Sequence, residues 1–462
     1  MRDKERVLLI SVTPFWRSYA ILNHLARELK KTCIVDALDV YADVGANSPQ
    51  YPWRDRLYDA LSFKFERLVA PYINGRVVKL KPDKSCPIPR IPDNVADLRD
   101  YTFLGARVGL AALSTAASVT KINERECTDR YGNALKRTWR VAHEAALVAD
   151  KLRKSSEYKA VYIFNGRHAV SRPFCDIFSG HSRVIRYESG GGRNRFVLSS
   201  VDIHSAAGIA DRIKSYKADH EVGAKYFQDR VERAHGTDSA RFTFNQTRGG
   251  LPRALRDKTF VVMYTSSEDE FFAVSDSASF GDFENQSAVA LAAAVTCKEL
   301  GILLVIRMHP HLRFKPYDWR ESWPLSQLRG LGAVVLPPDD STDSYALIEP
   351  ATGILSCGSS ITIEAAYAGT PTAVVGDHFL FPLGVSNSIQ NKSDLRRFIL
   401  SPTAPDGACS NAIKWASFQQ IGGETISSLE NFQRLETAVV EGKVIEPVRK
   451  FVLRIKRAAF QH

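Results

Sequence analysis

The stretch GILSCGSSITIEAAYAGTPTAVV, residues 353–375, predicts the fold of the second half of the chain. Residues 353–357 are apolar, as in a buried strand, and residues 361–368 have the apolar spacing of a helix. Residues 372–375 are again apolar and rich in valine, which favours a second buried strand. A strand, a helix and a strand in this order form the repeating unit of a parallel α/β sheet.

The same alternation extends in both directions from this stretch. In the second half, further strands are predicted at residues 259–264, 302–307 and 333–336, and helices at residues 284–300 and 344–348. In the first half, strands are predicted at residues 6–12, 32–36, 160–164 and 183–187, and helices at residues 20–30, 134–154 and 168–178. The sequence therefore predicts an α/β protein with two Rossmann-like domains that face a central cleft.

A polar stretch with Gly-Gly and Pro, residues 245–257, predicts the linker between the two domains. We therefore expect one domain over residues 1–250 and a second over residues 251–425. In residues 446–462 the apolar residues share one helical face and the basic residues largely lie elsewhere, so we expect residues 426–462 to form a C-terminal helical segment. This segment would pack back on the N-terminal domain or dock on anionic lipid.

The composition excludes several classes of protein. Hydrophobic residues are 44% and charged residues 24% of the 462 residues, which excludes a disordered or fibrous chain. No apolar run approaches the ~20 residues of a membrane span and no signal peptide is recognisable, so we expect a cytoplasmic protein. The seven cysteines are scattered without a CxxC pair, which favours reduced thiols over disulfides or a zinc site. The net charge of +11 favours an anionic partner: nucleic acid, anionic lipid or a nucleotide.

Polar residues follow the predicted strands of the second domain, at the edge where parallel sheets bind ligands. Ser266 and Ser267 follow the first of these strands, and His309 and Pro310 follow the second. The hydroxyls and the histidine ring would donate to phosphate oxygens, and Pro310 would fix the backbone beside them. These residues therefore predict an anion site, against the alternative that a histidine after a strand is structural.

The turn Gly358-Ser359-Ser360 predicts a further part of this site. Backbone N–H groups of the turn and of the following helix would point at one anion, and the serine hydroxyls add donors. Glu364 lies about one turn further along that helix, where its carboxylate would accept hydrogen bonds from ribose hydroxyls. The alternatives are an ordinary N-cap for the serines and a solvated helix position for Glu364. Together these residues predict a site for a nucleotide mono- or diphosphate.

These residues carry a resemblance to a known family. The segment RMHPH, residues 307–311, resembles the HP motif of bacterial capsule and surface-polysaccharide glycosyltransferases. The serines at 359–360, the acid at 364 and the GTP sequence at 369–371 resemble the serine motif and following helix of the same enzymes. Kdo-transferases and polysialyltransferases of the two-domain GT-B type belong to this family. The resemblance implies that the two motifs bind the phosphate of a nucleotide-sugar, commonly a CMP-sugar, without a metal or other cofactor.

In the first domain the resemblance reaches the segment RYESGGG, residues 186–192. Polysialyltransferases have two acidic residues followed by glycine, and the carboxylate removes the proton of the acceptor hydroxyl. This implies that Glu188 is the general base, although Ser189 stands where the family has a second acid. Transfer of a sugar to an alcohol needs such a base, and a glycine-rich turn lets a substrate approach closely. The alternative is a structural acid that pairs with Arg186 or Arg193.

Asn165 and Arg167 follow the predicted strand at residues 160–164 and would open on the same cleft. Arg167 would bind the carboxylate that Kdo and sialic acid both carry, or it would be an ordinary surface cation. We therefore expect Glu188 to be catalytic and Asn165 and Arg167 to bind substrate.

The resulting prediction is a metal-independent glycosyltransferase. It would transfer Kdo or a sialic-acid-like sugar from a CMP-activated donor to a growing surface polysaccharide or glycolipid. The N-terminal domain would bind the acceptor, a saccharide or lipid-linked saccharide, and the C-terminal domain the nucleotide-sugar donor, with peripheral contact to an anionic membrane. The alternatives are a polyol phosphotransferase that uses a CDP-alcohol, a UDP-sugar transferase or epimerase, and a sugar-binding protein without activity. The sequence has no recognisable nucleic-acid-binding motif.

Overall fold

The structure is a computed structural model that describes residues 4–13, 15–40, 65–82, 85–122, 125–192, 194–234, 243–268, 273, 279–315, 318–378, 380–427, 429–434, 437–440 and 443–445. Contacts within the chain divide it into two compact units. The first unit comprises Met1–Ile203 and Ile421–His462, and the second comprises His204–Gln420.

The first unit is built on one sheet. Its strands are β1 (Arg6–Ser11), β2 (Ile34–Asp39), β3 (Val77–Val78), β4 (Ala160–Phe164), β5 (Arg183–Ser189) and β6 (Arg195–Ser199). Its helices are α1 (Trp16–Leu29), α2 (Phe65–Leu68), α3 (Val95–Asp100), α4 (Val108–Thr120), α5 (Gly132–Ser155) and α6 (Ser171–Phe178). The strand order is β6-β5-β4-β1-β2-β3, with β1 to β5 parallel and β6 antiparallel to β5.

Strand β1 is buried on both faces of this sheet. Val7 and Leu9 belong to a core cluster that includes Tyr19 of α1, and Leu8 and Ile10 on the opposite face are also buried. Because side chains alternate between the two faces of a strand, a run of consecutive apolar residues indicates cover on both sides.

The second unit contains a second sheet. Its strands are β7 (Phe260–Tyr264), β8 (Leu303–Arg307), β9 (Val334–Leu336), β10 (Ala351–Ser356), β11 (Thr372–Val375) and β12 (Asn387–Ile389). Its helices are α7 (Ala206–Lys214), α8 (His220–Val231), α9 (Gln286–Leu300), α10 (Leu325–Gly330), α11 (Ile361–Tyr367), α12 (Lys392–Leu400) and α13 (Ala408–Ile421). All six strands are parallel, in the order β12-β11-β10-β7-β8-β9.

Both sheets have the strand order of a Rossmann fold. In this order, successive strands are added on one side of the first strand, and the later strands are then added on its other side, so the order reverses there. The reversal lies between β1 and β4 in the first unit and between β7 and β10 in the second. The prediction of an α/β protein with two Rossmann-like domains is therefore confirmed, and the cleft between them stays a prediction. In such sheets the ligand site lies beyond the carboxyl ends of the two strands that flank the reversal.

The division of the chain differs from the predicted boundary at residue 250. Helices α7 and α8 precede that boundary but belong to the second unit. The Phe227 ring of α8 stacks on Tyr367 of α11 with ring centroids 4.3 Å apart. The Tyr216 hydroxyl lies 3.0 Å from the Ser417 hydroxyl of α13. These contacts join residues far apart in sequence, so local composition does not indicate them.

The stretch at residues 245–257, predicted to be the linker, is held inside the second unit. The Gln246 side chain accepts a hydrogen bond from the Ser344 amide at 2.9 Å, and the Thr247 amide donates to the Ser341 carbonyl at 2.8 Å. Residues 344–348, predicted to be a helix, form turns instead. One of these turns is fixed by the Tyr264 hydroxyl, which donates to the Ser344 carbonyl at 2.6 Å.

After α13 the chain returns to the first unit. Strand β13 (Glu424–Thr425) pairs antiparallel with β6 as the seventh strand of the first sheet, and Ile426 is fully buried in that core. Strands β14 (Leu429–Arg434), β15 (Thr437–Val440) and β16 (Lys443–Ile445) form a separate antiparallel sheet. The helical prediction is therefore wrong over these strands, and the amphipathic helix expected at residues 446–462 lies outside the described residues.

Candidate functional site

The strand ends at the reversal of the second sheet are joined by Ser266. Its hydroxyl donates to the Cys357 carbonyl just beyond β10 at 2.9 Å, and its amide donates to the Gln286 side chain at the start of α9 at 2.8 Å. Its carbonyl accepts from Nε2 of Gln286 at 3.2 Å, so the amide, hydroxyl and carbonyl of Ser266 are all used within the protein, and Ser267 beside it is also buried. Ser266 thus links the end of β7 to the residue after β10 and to the start of α9. The contact of Ser266 and Ser267 with a ligand stays a prediction.

His309 is held at the end of β8 by two hydrogen bonds. Its amide donates to the Thr265 hydroxyl at 2.8 Å, and its Nδ1 accepts from the His311 amide at 3.2 Å. Because Nδ1 accepts, the neutral ring carries its proton on Nε2. Pro310 begins the 3₁₀ turn Pro310–Phe314 directly after it. The half-buried His309 ring is therefore fixed with the tautomer whose Nε2–H could donate to a phosphate oxygen.

The turn after β10 depends on a glycine. Gly358 has φ +96°, and a Cβ there would lie 2.2 Å from Nε2 of His378. Burial lowers the pKa of His378 to about 4, so its ring is neutral at pH 7. The neutral His378 ring packs against Gly358 so closely that no side chain fits there. Glycine is therefore required at the turn that leads to Ser359 and Ser360.

Ser359 and Ser360 stand directly before α11. Ser360 is the N-cap residue of this helix, but its side chain makes no capping hydrogen bond, and it is exposed, whereas Ser359 is half-buried. The alternative of an ordinary side-chain N-cap at Ser360 is therefore not what the structure has. Ser359 and Ser360 follow β10 and His309 follows β8, on the two strands that neighbour β7, so the predicted anion-binding residues lie along one edge of the sheet.

Glu364 is buried and ion-paired within the second unit. The residue is 6% exposed, so it is not a solvated helix position. Its Oε1 accepts a hydrogen bond from Nε of Arg230 on α8 at 3.0 Å, and Nη2 of the same guanidinium lies 3.0 Å from this oxygen as an ion pair. Sequence reasoning missed Arg230 because it lies in a helix that the local pattern does not connect with α11. Contact of Glu364 with a ribose stays a prediction.

The carboxyl ends of β4 and β5 bring together Asn165 and Glu188 in the first unit. Asn165 has φ +62°, and its Nδ2 donates to Glu188 Oε2 at 2.8 Å. The Ser189 amide donates to the other oxygen, Oε1, at 2.9 Å. Since β4 flanks the reversal of the first sheet, this carboxylate lies at the edge where such sheets bind ligands.

The pKa of Glu188 is raised above its ordinary value. Burial raises it, and the hydrogen bonds from Ser189 and Asn165 and the charges of Arg167 and Arg17 lower it by less in sum. The alternative of an ion pair with Arg186 is not what the structure has, since the Arg186 guanidinium donates to the Ser200 carbonyl. Arg193 lies outside the described residues. A partly buried carboxylate with a raised pKa is typical of a general acid or base.

Arg167 lies beside this carboxylate. Burial lowers the pKa of Arg167 to about 10, while the charge of Glu188 raises it, so the guanidinium remains charged at pH 7. Its Nη1 donates to the Ser114 hydroxyl at 3.2 Å, and its carbonyl accepts from Nε of the buried Arg172 at 3.4 Å. Arg167 is therefore a fixed, partly buried cation rather than an ordinary surface residue.

The glycine turn after β5 is packed by the returning chain. The Gly191 amide donates to the Gly422 carbonyl at 2.8 Å, and a Cβ on Gly190 would lie 2.9 Å from the same oxygen. Arg17 at the start of α1 donates to the Gly192 carbonyl. Gly190 is thus needed for backbone packing, which differs from the expectation that this turn opens towards a substrate, and Arg17 is a neighbour that sequence reasoning missed.

Two further properties concern the described residues as a whole. Within them, no helix is long and apolar enough to span a membrane. The same residues contain no group of three or more His, Cys, Asp or Glu placed to hold a metal ion. Independence of a metal stays a prediction.

Comparisons with known proteins give distant structural similarities. No protein-family model and no curated protein matches the chain. The beta Kdo 2,4 transferase KpsC of Thermosulfurimonas dismutans is similar with a TM-score of 0.35 and 10% identity over 56% of this chain and 79% of that chain. The UDP-GlcNAc 2-epimerase of Methanocaldococcus jannaschii, in complex with UDP-GlcNAc and UDP, is similar with a TM-score of 0.28 and 10% identity, over 89% of this chain and 98% of that chain. TM-scores below 0.5 do not establish a shared fold, so the Rossmann topology rests on the two sheets of this chain.

Proposed function

We propose that this protein is a GT-B-type glycosyltransferase that transfers a sugar from a nucleotide-sugar donor to a hydroxyl of a saccharide acceptor. The observation that carries the proposal is the partly buried Glu188, held by two amide donors beside Arg167, at the ligand edge of a Rossmann-type sheet. A second such sheet carries His309, Ser359 and Ser360 at its own ligand edge. One unit thus offers a base for an acceptor, and the other offers donors for a phosphate.

In the proposed reaction, Glu188 takes the proton of the acceptor hydroxyl. The acceptor oxygen attacks the anomeric carbon of the donor sugar, and the bond from that carbon to the phosphate oxygen breaks. The departing phosphate gains negative charge, which Nε2–H of His309 and the hydroxyls of Ser359 and Ser360 stabilise by hydrogen bonds. The base must be ionised to accept the proton, and the hydrogen bonds from Asn165 and Ser189 orient it without neutralising it.

The donor is proposed to be CMP-linked, with Kdo or a sialic-acid-like sugar. These sugars carry a carboxylate, and the fixed Arg167 cation is suited to bind such a group. The acceptor is a growing surface polysaccharide or glycolipid, and the reaction requires no metal because Nε2–H of His309 and the hydroxyls of Ser359 and Ser360 donate to the phosphate. A CDP-alcohol or a UDP-sugar donor would use the same phosphate contacts, and a nucleotide comparison distinguishes them.

A substitution series at His309 tests the phosphate contact. His309→Ala removes the Nε2–H donor, so we expect the affinity for CMP to fall about 10- to 100-fold, the range for a hydrogen bond to a charged group. His309→Gln places an amide donor near the position of Nε2 and restores part of this affinity. His309→Asn instead keeps an acceptor for the His311 amide, and it serves as the matched control for a structural role.

Isothermal titration with CMP on the four proteins decides between these roles. Affinity restored by glutamine and not by asparagine supports the phosphate contact. Affinity restored by asparagine and not by glutamine contradicts it, because the backbone hydrogen bond to His311 would then be what matters.

A further inference from the structure

One oxygen of Glu364 has no hydrogen bond where one is expected. Arg230 donates from Nε to Oε1 and pairs with the same oxygen through Nη2, whereas Oε2 is buried and accepts no hydrogen bond from the described part of the chain. An ionised oxygen that is removed from water without a donor is unfavourable, and such atoms in folded proteins are uncommon. The unsatisfied oxygen therefore indicates that a donor from outside the described residues completes the site.

The position of Glu364 relates this oxygen to the predicted phosphate site. Ser360 and Glu364 are four residues apart at the start of α11 and so share one face of it. Side chains on a helix also lean towards its N-terminus, which here is the turn with Ser359 and Ser360. A nucleotide whose phosphate lies at that turn would therefore bring its ribose hydroxyls towards Glu364.

Arg230 is itself held firmly in place. Its guanidinium lies over the Tyr226 ring, 5.3 Å from the ring centroid, and it is 13% exposed. The helix that carries it, α8, is anchored to α11 by the stacked rings of Phe227 and Tyr367. Burial lowers the pKa of Arg230, but the charges of Glu364, Tyr226 and Tyr345 and the hydrogen bond to Glu364 together outweigh it, so this pKa is raised and the guanidinium stays charged.

We propose that Arg230 is a positioning residue: by occupying Oε1 of Glu364 it fixes the carboxylate and aims Oε2 at a ribose hydroxyl of the bound nucleotide. This rests on the proposed function, in which the second unit binds the donor nucleotide. Arg230 does not touch the ligand in this arrangement. It acts by removing the rotational freedom of the Glu364 carboxylate and by leaving a single oxygen available.

The test compares ribonucleotides with their deoxy analogues. CMP and UDP, each with its 2′-deoxy and 3′-deoxy form, are titrated into the wild type, Arg230→Met and Arg230→Lys. In the wild type we expect at least one deoxy form of the nucleotide that binds to do so about 10-fold more weakly, because a hydrogen bond to a carboxylate is lost. In Arg230→Met the ratio of the dissociation constants of the deoxy and ribo forms falls towards 1, and Arg230→Lys restores part of the difference.

Arg233→Met provides a matched control. Arg233 makes a comparable buried ion pair with Asp343, at 2.9 Å and with 15% and 6% exposure of the two side chains. Its loss should lower the melting temperature as the loss of Arg230 does, but should leave the ratio between ribo and deoxy forms unchanged. If Arg230→Met does not fold, the lysine variant and Glu364→Gln carry the same comparison.

The outcomes separate this proposal from the proposed function. Tight binding of a ribonucleotide with no discrimination against either deoxy form overturns the role of Arg230 and Glu364 and leaves the nucleotide site intact. Equal losses of affinity for ribo and deoxy forms in Arg230→Met also overturn it, since they indicate a purely structural ion pair. Failure of the wild type to bind either nucleotide overturns both proposals.

Discussion

Glu188→Gln is expected to reduce the turnover number of sugar transfer by about 10²- to 10⁴-fold, the usual contribution of a general base. Glutamine has nearly the same shape and can still accept a hydrogen bond from Asn165, but it cannot take the proton of the acceptor hydroxyl. Nucleotide binding should be unchanged, because the proposed donor site lies on the other sheet. The measurement is single-turnover transfer from a CMP-sugar, together with the affinity for CMP.

Two controls make this result specific. Asp202→Asn removes a negative charge that also acts on Arg167, without changing the proposed base, and should retain near wild-type turnover. The pH profile gives a second check: turnover should fall as the pH drops through the raised pKa of Glu188, above the ordinary value of 4.5. Since Arg167 lowers this pKa, Arg167→Met should move the fall to higher pH. Near wild-type turnover in Glu188→Gln would exclude it as the base.

Asp36→Ala is expected to lower the free energy of unfolding by about 1–3 kcal/mol, the effect of leaving buried hydrogen-bonding groups without a partner. Asp36 lies on β2 with no exposed surface and accepts hydrogen bonds from Arg6 at 2.7 Å, the Arg76 amide at 2.8 Å and Tyr158 at 3.1 Å. Removing the carboxylate leaves two arginines and a buried tyrosine without this acceptor. The measurement is urea denaturation of the full chain at pH 7.

The same residue gives a pH dependence with a defined sign. Burial raises the pKa of Asp36, but the hydrogen bonds from Arg76, Arg6 and Tyr158 outweigh it and the pKa is lowered in the folded state. Its contribution to stability is therefore complete above the ordinary value of 3.8 and is lost as the pH falls below it. Asp36→Asn should be less stable than the wild type at pH 7 and should lack this loss in acid.

Asp150→Ala is the matched control for Asp36. Asp150 pairs with Arg153 and Lys154 on the surface of α5, where such pairs contribute about 0–1 kcal/mol. If Asp36→Ala lowers the free energy of unfolding no more than Asp150→Ala does, the hydrogen bonds of Asp36 do not stabilise the first sheet as proposed.

The sequence predicted those features that depend on neighbouring residues. Buried strands such as β4 and β7 were predicted at nearly their observed bounds, because an apolar run bounded by polar turns is a local pattern. Asn165 and Glu188 were placed in one site because they follow adjacent strands of a parallel sheet, whose carboxyl ends lie at the same edge. The structure adds the hydrogen bond between them.

Features that depend on distant residues were not predictable in this way. Arg230 and Glu364 meet only because α8 packs on α11, and the same packing moves the boundary of the second unit to residue 204. Gly-Gly and Pro in residues 245–257 indicated a linker, but the hydrogen bonds of Gln246 and Thr247 hold this stretch in the second unit. Local composition indicates where a chain turns, and tertiary contacts decide to which unit the turn belongs.

Binding of the nucleotide of a CMP-activated donor at the edge of the second sheet can be measured by thermal unfolding with CMP, CDP, UMP, UDP, GDP and ADP, each with and without magnesium. A ligand at about 100 times its dissociation constant stabilises the folded state by about 2.7 kcal/mol, which raises the melting temperature by several degrees. We expect the largest rise in melting temperature with CMP, of equal size with and without magnesium. No rise with any of the six nucleotides would contradict a nucleotide site at this edge.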